Sequence, residues 1–357
     1  MSSLTLGLAI FGGLVLAGFI GWNAWMLRRN APRQPSAHEA APAAPNAGLD
    51  AGQPMDGGLG ERQEPSFDAE LPVVVAVAPP AALARGGLDP LIDVIAPIAL
   101  DTVVSGEAAL AALPATRRAG SKPVMIEGQN ERSGQWESPA AGQRYRAFQA
   151  GVQLANRTGA LNEIEYSEFV VKVTAFADAL GGAPEFPEML DEVARARELD
   201  QFASAHDAQL SFVLRARHAA WSPGYVQQNA VQQGFVPGMI PGRLVLAAAE
   251  PGLPPILSLS FDTQAALADD PAQSAIRELT ISLDVPQVDR AEQPFARMRE
   301  LSAALVREMD GIITDSDGQP LREETMEAIG ADLEQLYNTL DERDLAAGSL
   351  LARRLFS

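Results

Sequence analysis

Two stretches of this chain resemble each other at a fixed offset, and that similarity limits the possible fold more than any other feature. At an offset of 129 residues, Gly182 falls on Gly311 after an amphipathic helix in each half. The residues that align are Val152 and Leu154 with Ile281 and Leu283, then Tyr166, Phe169, Phe176 and Leu180 with Phe295, Met298, Leu305 and Met309. One position breaks the shared stripe, because Val173 falls on Ser302. The offset predicts a tandem duplication, the alternative being a chance register of two amphipathic helices.

Each half reads in the order β-α-β-β-(β)-α-β-α, with one optional strand, which predicts an α+β fold with a mainly antiparallel sheet and helices on one face. Within 257–261 and 279–283, apolar residues alternate with polar ones. Because successive side chains of a strand point to opposite faces, the apolar side should pack on the helices. The other face is predicted to present Ser258, Ser260, Asp262, Thr280, Ser282 and Asp284.

The N-terminal region contains a long uncharged run, the 24 residues from Leu4 to Leu27. A helix of that length spans ~36 Å at ~1.5 Å per residue, enough for a hydrocarbon core of ~30 Å. A cleaved signal peptide is the alternative, but no basic segment precedes the run. The residues typical of a membrane interface are Trp22, Trp25, Arg28 and Arg29. We predict a retained transmembrane helix over 4–27, contacting the lipid bilayer, with the N-terminus outside and the remainder in the cytoplasm.

Small residues recur every four positions within the predicted span. They are Ala9, Gly13, Ala17 and Gly21. Such a stripe lets two membrane helices approach closely and predicts self-association. The alternative is that transmembrane helices are commonly rich in glycine and alanine.

A proline-rich linker is predicted over 28–87. Residues 31–80 contain nine prolines and five glycines with little periodicity, which favours disorder. The apolar patch at 71–80 has two readings, an edge strand or an adhesive linker motif, and the sequence does not separate them.

Composition excludes several functions. The net charge of −19 argues against nucleic-acid binding, which needs clustered basic residues. The chain has no cysteine and only three histidines, so thiolate chemistry and zinc–thiolate sites are excluded and a histidine-based metal site is disfavoured. We find no glycine loop for phosphates and no catalytic constellation. The sequence therefore predicts a protein that is not an enzyme and has no metal and no cofactor.

The C-terminal half resembles the ZipA family of bacterial cell-division proteins. The similar stretches are "ELTISLDVP" (278–286), "EQPFARMRELSAALVREMDGIITDSDGQPL" (292–321) and "REETMEAIGADLEQL" (322–336). The resemblance covers about 206–345, and extends to the anchor and linker by architecture. It implies a split β-α-β domain that binds the C-terminal peptide of the tubulin-like protein FtsZ, at the inner membrane during septum assembly.

Two departures from the family affect these expectations. Residues 88–205 are predicted to form a second, diverged domain before the similar domain at 206–345, with 346–357 as a tail. The family's peptide lies in an apolar groove on the sheet, whereas the corresponding face here is polar. A partner other than FtsZ is therefore the alternative. The predicted partner-binding residues on the sheet face are Val213, Arg215, Tyr225, Ser258, Ser260, Asp262, Thr280 and Ser282.

Overall fold

The computed structural model of the protein describes Arg33, residues 87–268 and residues 274–357. These ranges are α+β, with antiparallel sheets and helices. None of the helices in them is long and apolar enough to cross a membrane, so for the described residues the predicted fold class is corrected to α+β without a transmembrane helix. The predicted span 4–27 itself lies outside the described residues, as do Ala9, Gly13, Ala17, Gly21, Trp22, Trp25, Arg28, Arg29 and the patch 71–80.

The first domain contains a six-stranded antiparallel sheet with the order β2-β3-β5-β1-β8 and β4 beside β3, packed on one face against helices. Its strands are β1 (Asp93–Ser105), β2 (Arg118–Ala119), β3 (Lys122–Asn130), β4 (Trp136–Glu137), β5 (Arg144–Gln153), the hairpin β6 (Ala155–Asn156) and β7 (Gly159–Ala160), and β8 (Gly182–Pro184). Its helices are α1 (Gly106–Ala112), α2 (Glu163–Leu180) and α3 (Met189–His206).

The ends of helix α2 follow from local sequence. The Asn162 side chain accepts hydrogen bonds from the backbone N–H groups of Ile164 and Glu165, and Glu165 accepts one from the backbone of Asn162. This reciprocal pair satisfies amide groups that lack partners within the helix. The helix ends before Gly181, whose φ of 66° lies in the left-handed region that glycine adopts without strain.

The second domain contains another six-stranded antiparallel sheet, in the order β10-β11-β12-β13-β9-β14. Its strands are β9 (Gln209–Ala216), β10 (Val236–Pro237), β11 (Arg243–Leu246), β12 (Leu257–Ser260), β13 (Glu278–Asp284) and β14 (Gly311–Thr314). Its helices are α4 (Pro223–Gln232), α5 (Thr263–Ala266), α6 (Pro294–Met309), α7 (Glu323–Asp341) and α8 (Leu350–Leu355), with 3-10 turns at Val285–Gln287 and Arg290–Glu292.

The two sheets share one topology. Strands β3-β5-β1-β8 correspond in order to β12-β13-β9-β14, and helices α2 and α6 occupy the same place in the connection. The central pairs also correspond, since Val94 faces Val152 in the first sheet and Phe212 faces Ile281 in the second. A tandem duplication requires equal topology in the two halves, and the halves have it. The duplication as an evolutionary event stays a prediction.

Ser302 is the position that breaks the shared stripe, and it lies in the core of the second domain. The residue is completely buried, and its hydroxyl has no hydrogen-bond partner among the described residues. A buried hydroxyl without a partner costs about 1–3 kcal/mol, and alanine is the better helix former. We expect Ser302→Ala to raise the free energy of unfolding by about 1 kcal/mol in urea titrations. The matched change Ser167→Ala, at an exposed helical position, should alter it by less than about 0.5 kcal/mol; equal effects would contradict the prediction.

The segment 346–357 is folded, which corrects its assignment to a tail. Helix α8 and the residue after it bury Leu355 and Phe356 in the core of the second domain. The same segment contacts the first domain, because the Gln153 amide donates to the Arg354 carbonyl at 2.8 Å. Six residues are too short for a reliable helical periodicity, so only the packed structure identifies this element.

Arg157 also links the two domains. It lies between β6 and β7 and forms ion pairs with Asp207 at 2.6 Å and Asp284 at 2.7 Å. Hydrogen bonds to these two carboxylates raise the pKa of the guanidinium, which therefore stays charged. Together with α8, this contact joins the two sheets into one assembly.

Arg33 belongs to the predicted disordered linker 28–87, yet it is held against the second domain. It forms a parallel β-bridge with Trp221 and an ion pair with Asp310 at 2.9 Å. Gly87, at the other end of the predicted linker, lies beside the Glu127 side chain of the first domain. Arg33 is therefore ordered, although it lies within the predicted disordered linker.

Candidate functional site: the outer sheet faces

The sheet of the second domain has one face on the core and one facing away from it. In β12 and β13 the buried positions are Leu257, Leu259, Leu279, Ile281 and Leu283. The alternating residues between them are half-buried or exposed. We call the latter side the second-domain outer face. Strand alternation alone places it opposite helices α4 and α6, as the sequence predicted.

A row of three serines crosses this outer face. Ser258 pairs with Ser282 in the ladder, and Ser282 pairs with Ser211. The hydroxyls of Ser211 and Ser282 are 3.2 Å apart, and the Arg243 guanidinium is 3.5 Å from the Ser258 hydroxyl. We call Ser258, Ser282 and Ser211 the serine row. Hydroxyls both donate and accept, so the row can bind a polar segment through either function.

A cleft of about 420 Å³ lies over the serine row. One side is formed by the loop before β11, where Ile240 is 52% exposed, and by Phe261. Met239, which directly precedes Ile240 in that loop, is 74% exposed. Polar residues therefore form the floor of the cleft, while apolar residues lie at its rim.

The structure brings together most of the predicted partner-binding residues. Val213 pairs with Thr280, and Thr280 pairs with Ser260, so these residues form a second row beside the serine row. Arg215 lies at the end of the face and forms an ion pair with Glu278 at 3.4 Å. All of them point away from the core, as the alternation in the sequence implies.

Two predicted residues lie elsewhere. Tyr225 is in helix α4 on the helical side, where its hydroxyl donates to the Glu308 carbonyl at 3.2 Å, so its assignment to the sheet face is corrected. Asp262 lies just past the end of β12 and caps α5 by accepting from the Gln264 amide at 2.9 Å. The rotation of a helix about its axis depends on its neighbours, which explains why the side taken by Tyr225 could not be predicted.

The first domain also has an outer face, which the sequence interpretation missed. Its central strand presents Ile95, half-buried, and Pro97 and Ala99, exposed. These residues pair with Gly151, Gln149 and Ala147 of β5. The available signal was the run "DVIAPIAL" (93–100), which is apolar on both sides of the strand and so indicates two apolar faces.

Part of the first-domain outer face is covered by the chain that leads into the domain. Leu88 packs where a side chain at Gly151 would lie. The backbone amide of Leu88 donates to Glu127 at 3.2 Å. The exposed part of the first-domain outer face, around Pro97 and Ala99, is therefore a small apolar surface beside the polar residue Gln149.

Several groups in the described ranges have perturbed pKa values. Burial raises the pKa of Asp93, and burial lowers the pKa of Lys122, which donates to Asn156 at 3.1 Å. Burial also raises the pKa of Tyr337 to about 12. Within the described ranges no group of three or more acidic or histidine side chains could hold a metal ion. The second-domain outer face offers hydroxyl groups in the serine row and an exposed apolar side chain at Ile240.

No protein-family model and no curated protein matches the chain.

Proposed function

We propose that the chain is a protein-binding adaptor whose partner is the tubulin-like division protein FtsZ, bound through its C-terminal peptide. The observation that carries the proposal is the pair of outer faces, where Ala99 is exposed and Ser282 is half-buried. The resemblance of 206–345 to the ZipA family supplies the identity of the partner. The predicted location at the inner membrane depends on residues outside the described ranges and does not enter the proposal.

The second-domain outer face supports binding of a segment that makes many polar contacts. A hydrogen bond contributes about 0.5–1.5 kcal/mol net, so the serine row supplies orientation more than affinity. Apolar anchors contribute more, and Ile240 at the rim of the cleft is suited to contact one. A segment with one apolar side chain and a polar remainder fits this combination.

A different cytoplasmic partner is the second candidate, and the serine row is the observation that favours it. A helix that docks by its apolar face needs an apolar groove, and the floor of this cleft is polar. The same fold would then bind a more polar segment. The two candidates differ only in the partner, and the same measurement separates them.

The test is co-sedimentation of residues 88–357 with FtsZ filaments. We expect a dissociation constant on the order of tens of micromolar or tighter. Ser282→Arg introduces a long charged side chain into the serine row, and Ala99→Arg does the same on the first-domain outer face. The variant on the face in use should bind at least about tenfold more weakly. Gln335→Arg, at an exposed position of α7, is the control and should bind unchanged.

The outcomes are distinct. Absence of binding to filaments and to the isolated C-terminal peptide would reject FtsZ and leave the second candidate. Binding that neither Ser282→Arg nor Ala99→Arg weakens would reject the outer faces as the binding surface.

A further inference from the structure

Arg33 is paired through its backbone with a short edge next to the second sheet. Its amide donates to the Ala220 carbonyl at 2.7 Å, and its carbonyl accepts from the Ser222 amide at 3.0 Å. Trp221 lies between these two residues and pairs on its other side with Ile276, through two bonds of 2.8 Å. Arg33 thus adds an outer strand residue to an existing bridge, which is the geometry of strand addition.

The Arg33 side chain reaches the C-terminal end of helix α6. One terminal nitrogen donates to the Met309 carbonyl at 2.9 Å, and the other contacts the Asp310 carboxylate at 2.9 Å. The last carbonyls of a helix lack intrahelical partners and carry partial negative charge, so a guanidinium is favoured there. The planar fork of arginine can contact both oxygens at once, which a lysine ammonium does less well.

The receiving residues are held in place independently of Arg33. The buried Trp221 indole donates to the same Met309 carbonyl at 2.8 Å. Asp310 has a φ of 56°, and its carboxylate also contacts His218 at 3.1 Å. Hydrogen bonding from His218 is the main cause that lowers the pKa of Asp310, and Arg33 lowers it further, so the carboxylate stays ionised. We call Ala220, Trp221, Ser222, Met309 and Asp310 the arginine-docking site.

The sequence after Arg33 limits how far the backbone pairing can extend. Pro35 follows two residues later, on the same side of an extended strand, and proline has no backbone N–H to donate there. A single backbone pair cannot define a register alone, so recognition depends on the arginine side chain. This matches a site that combines one backbone bridge with a two-point contact to a guanidinium.

We propose that the arginine-docking site binds an extended segment bearing an arginine, and that its occupant is this chain's own Arg33. The consequence is geometric. Near the two ends of the predicted linker 28–87, Arg33 contacts the second domain and Gly87 contacts the first domain. This inference is independent of the identity of the partner.

Amide hydrogen exchange of the intact chain tests the proposal at single residues. In the wild type the Ser222 amide is protected by the Arg33 carbonyl, and the Ile276 amide is protected by the Trp221 carbonyl. In Arg33→Glu we expect the Ser222 amide to exchange at least about tenfold faster, with Ile276 unchanged. Equal Ser222 exchange in the two proteins would overturn the proposal. Arg33→Lys should give an intermediate rate, because it keeps the charge and loses the fork.

Limited trypsin digestion is the second measurement, and it probes the site from the other side. The bonds after Arg33 and after Arg62 are both followed by glutamine, so Arg62 supplies an internal reference for cleavage. Asp310→Asn removes the charge and keeps a residue that tolerates a positive φ. We expect the ratio of cleavage at Arg33 to that at Arg62 to rise at least about fivefold in Asp310→Asn. The control Asp317→Asn, at an exposed turn, should leave the ratio unchanged.

Amide exchange and trypsin digestion together test the proposal even if one variant disturbs the fold. If Arg33→Glu exposes Ile276 as well as Ser222, the digestion ratio in Asp310→Asn decides. A wild-type ratio equal to that of Asp310→Asn would overturn the proposal.

Discussion

Replacing Phe356 with alanine is expected to lower the free energy of unfolding by about 3–5 kcal/mol. Phe356 is 1% exposed and belongs to the core of the second domain, although it is the penultimate residue of the chain. Its carbonyl accepts from the Gln287 amide at 2.6 Å, which fixes the end of α8 against the 3-10 turn at Val285–Gln287. The cost of the change includes the cavity that the ring leaves, because a packed core relaxes only partly around it.

The measurement is urea unfolding of the intact chain, followed by circular dichroism. The matched control is Ser357→Ala, at the exposed last residue, with an expected change below about 0.5 kcal/mol. A loss in Phe356→Ala no larger than in the control would mean that the terminal helix is dispensable for the core.

Replacing Arg354 with methionine is expected to cost about 3–5 kcal/mol near pH 7, because it leaves a buried carboxylate without its partner. Asp93 is 1% exposed, and its carboxylate is 2.5 Å from the Arg354 guanidinium. Methionine keeps much of the apolar stem of the side chain, so the lost charge dominates. This pair connects α8 to the first strand of the first domain.

The loss of unfolding free energy in Arg354→Met should increase from acid to neutral pH. Burial raises the pKa of Asp93 above its ordinary value of 3.8, and Arg354 opposes this rise. Because the folded state holds the proton more tightly, the contribution of Asp93 to stability is complete below pH 3.8 and is lost as pH rises through the folded pKa. Without Arg354 the pKa rises further, so the deficit of Arg354→Met should be small at acid pH and largest near about pH 7.

The control for this pH dependence is the double variant Asp93→Asn with Arg354→Met. It has no carboxylate to titrate at this position, so its difference from Asp93→Asn alone should stay constant with pH. Urea titrations across about pH 4–8 supply the comparison. A deficit of Arg354→Met that is independent of pH would contradict the role of Asp93.

Much of the arrangement within each domain was predictable, because it depends on local periodicity. Alternation in 257–261 and 279–283 identified the side of the second sheet that faces the core and placed Ser258 and Ser282 on the other side. The offset of 129 residues placed Val152 and Ile281 at equivalent positions of two sheets with the same strand order. Side-chain spacing alone carries this information.

Other parts were not predictable, because they depend on contacts between distant residues. The sequence predicts Tyr225 on the sheet face, but its helix turns it toward Glu308. It predicts a tail over 346–357, but the apolar residues of this segment complete a core that includes strands β9 and β13. It predicts a disordered linker at Arg33, but the partners of Arg33 lie at 220–222 and 309–310.

The sequence alone determined the α+β class of the domains, their repeated order of elements and the polar character of the second-domain outer face. These properties come from residue type and spacing, which are visible along the chain. The tertiary structure alone decided that α8 joins the two domains, that Ser302 is buried without a partner among the described residues, and that Arg33 is bound at the end of α6. Each of these features depends on contacts between residues that are distant in sequence, and local periodicity does not encode such contacts.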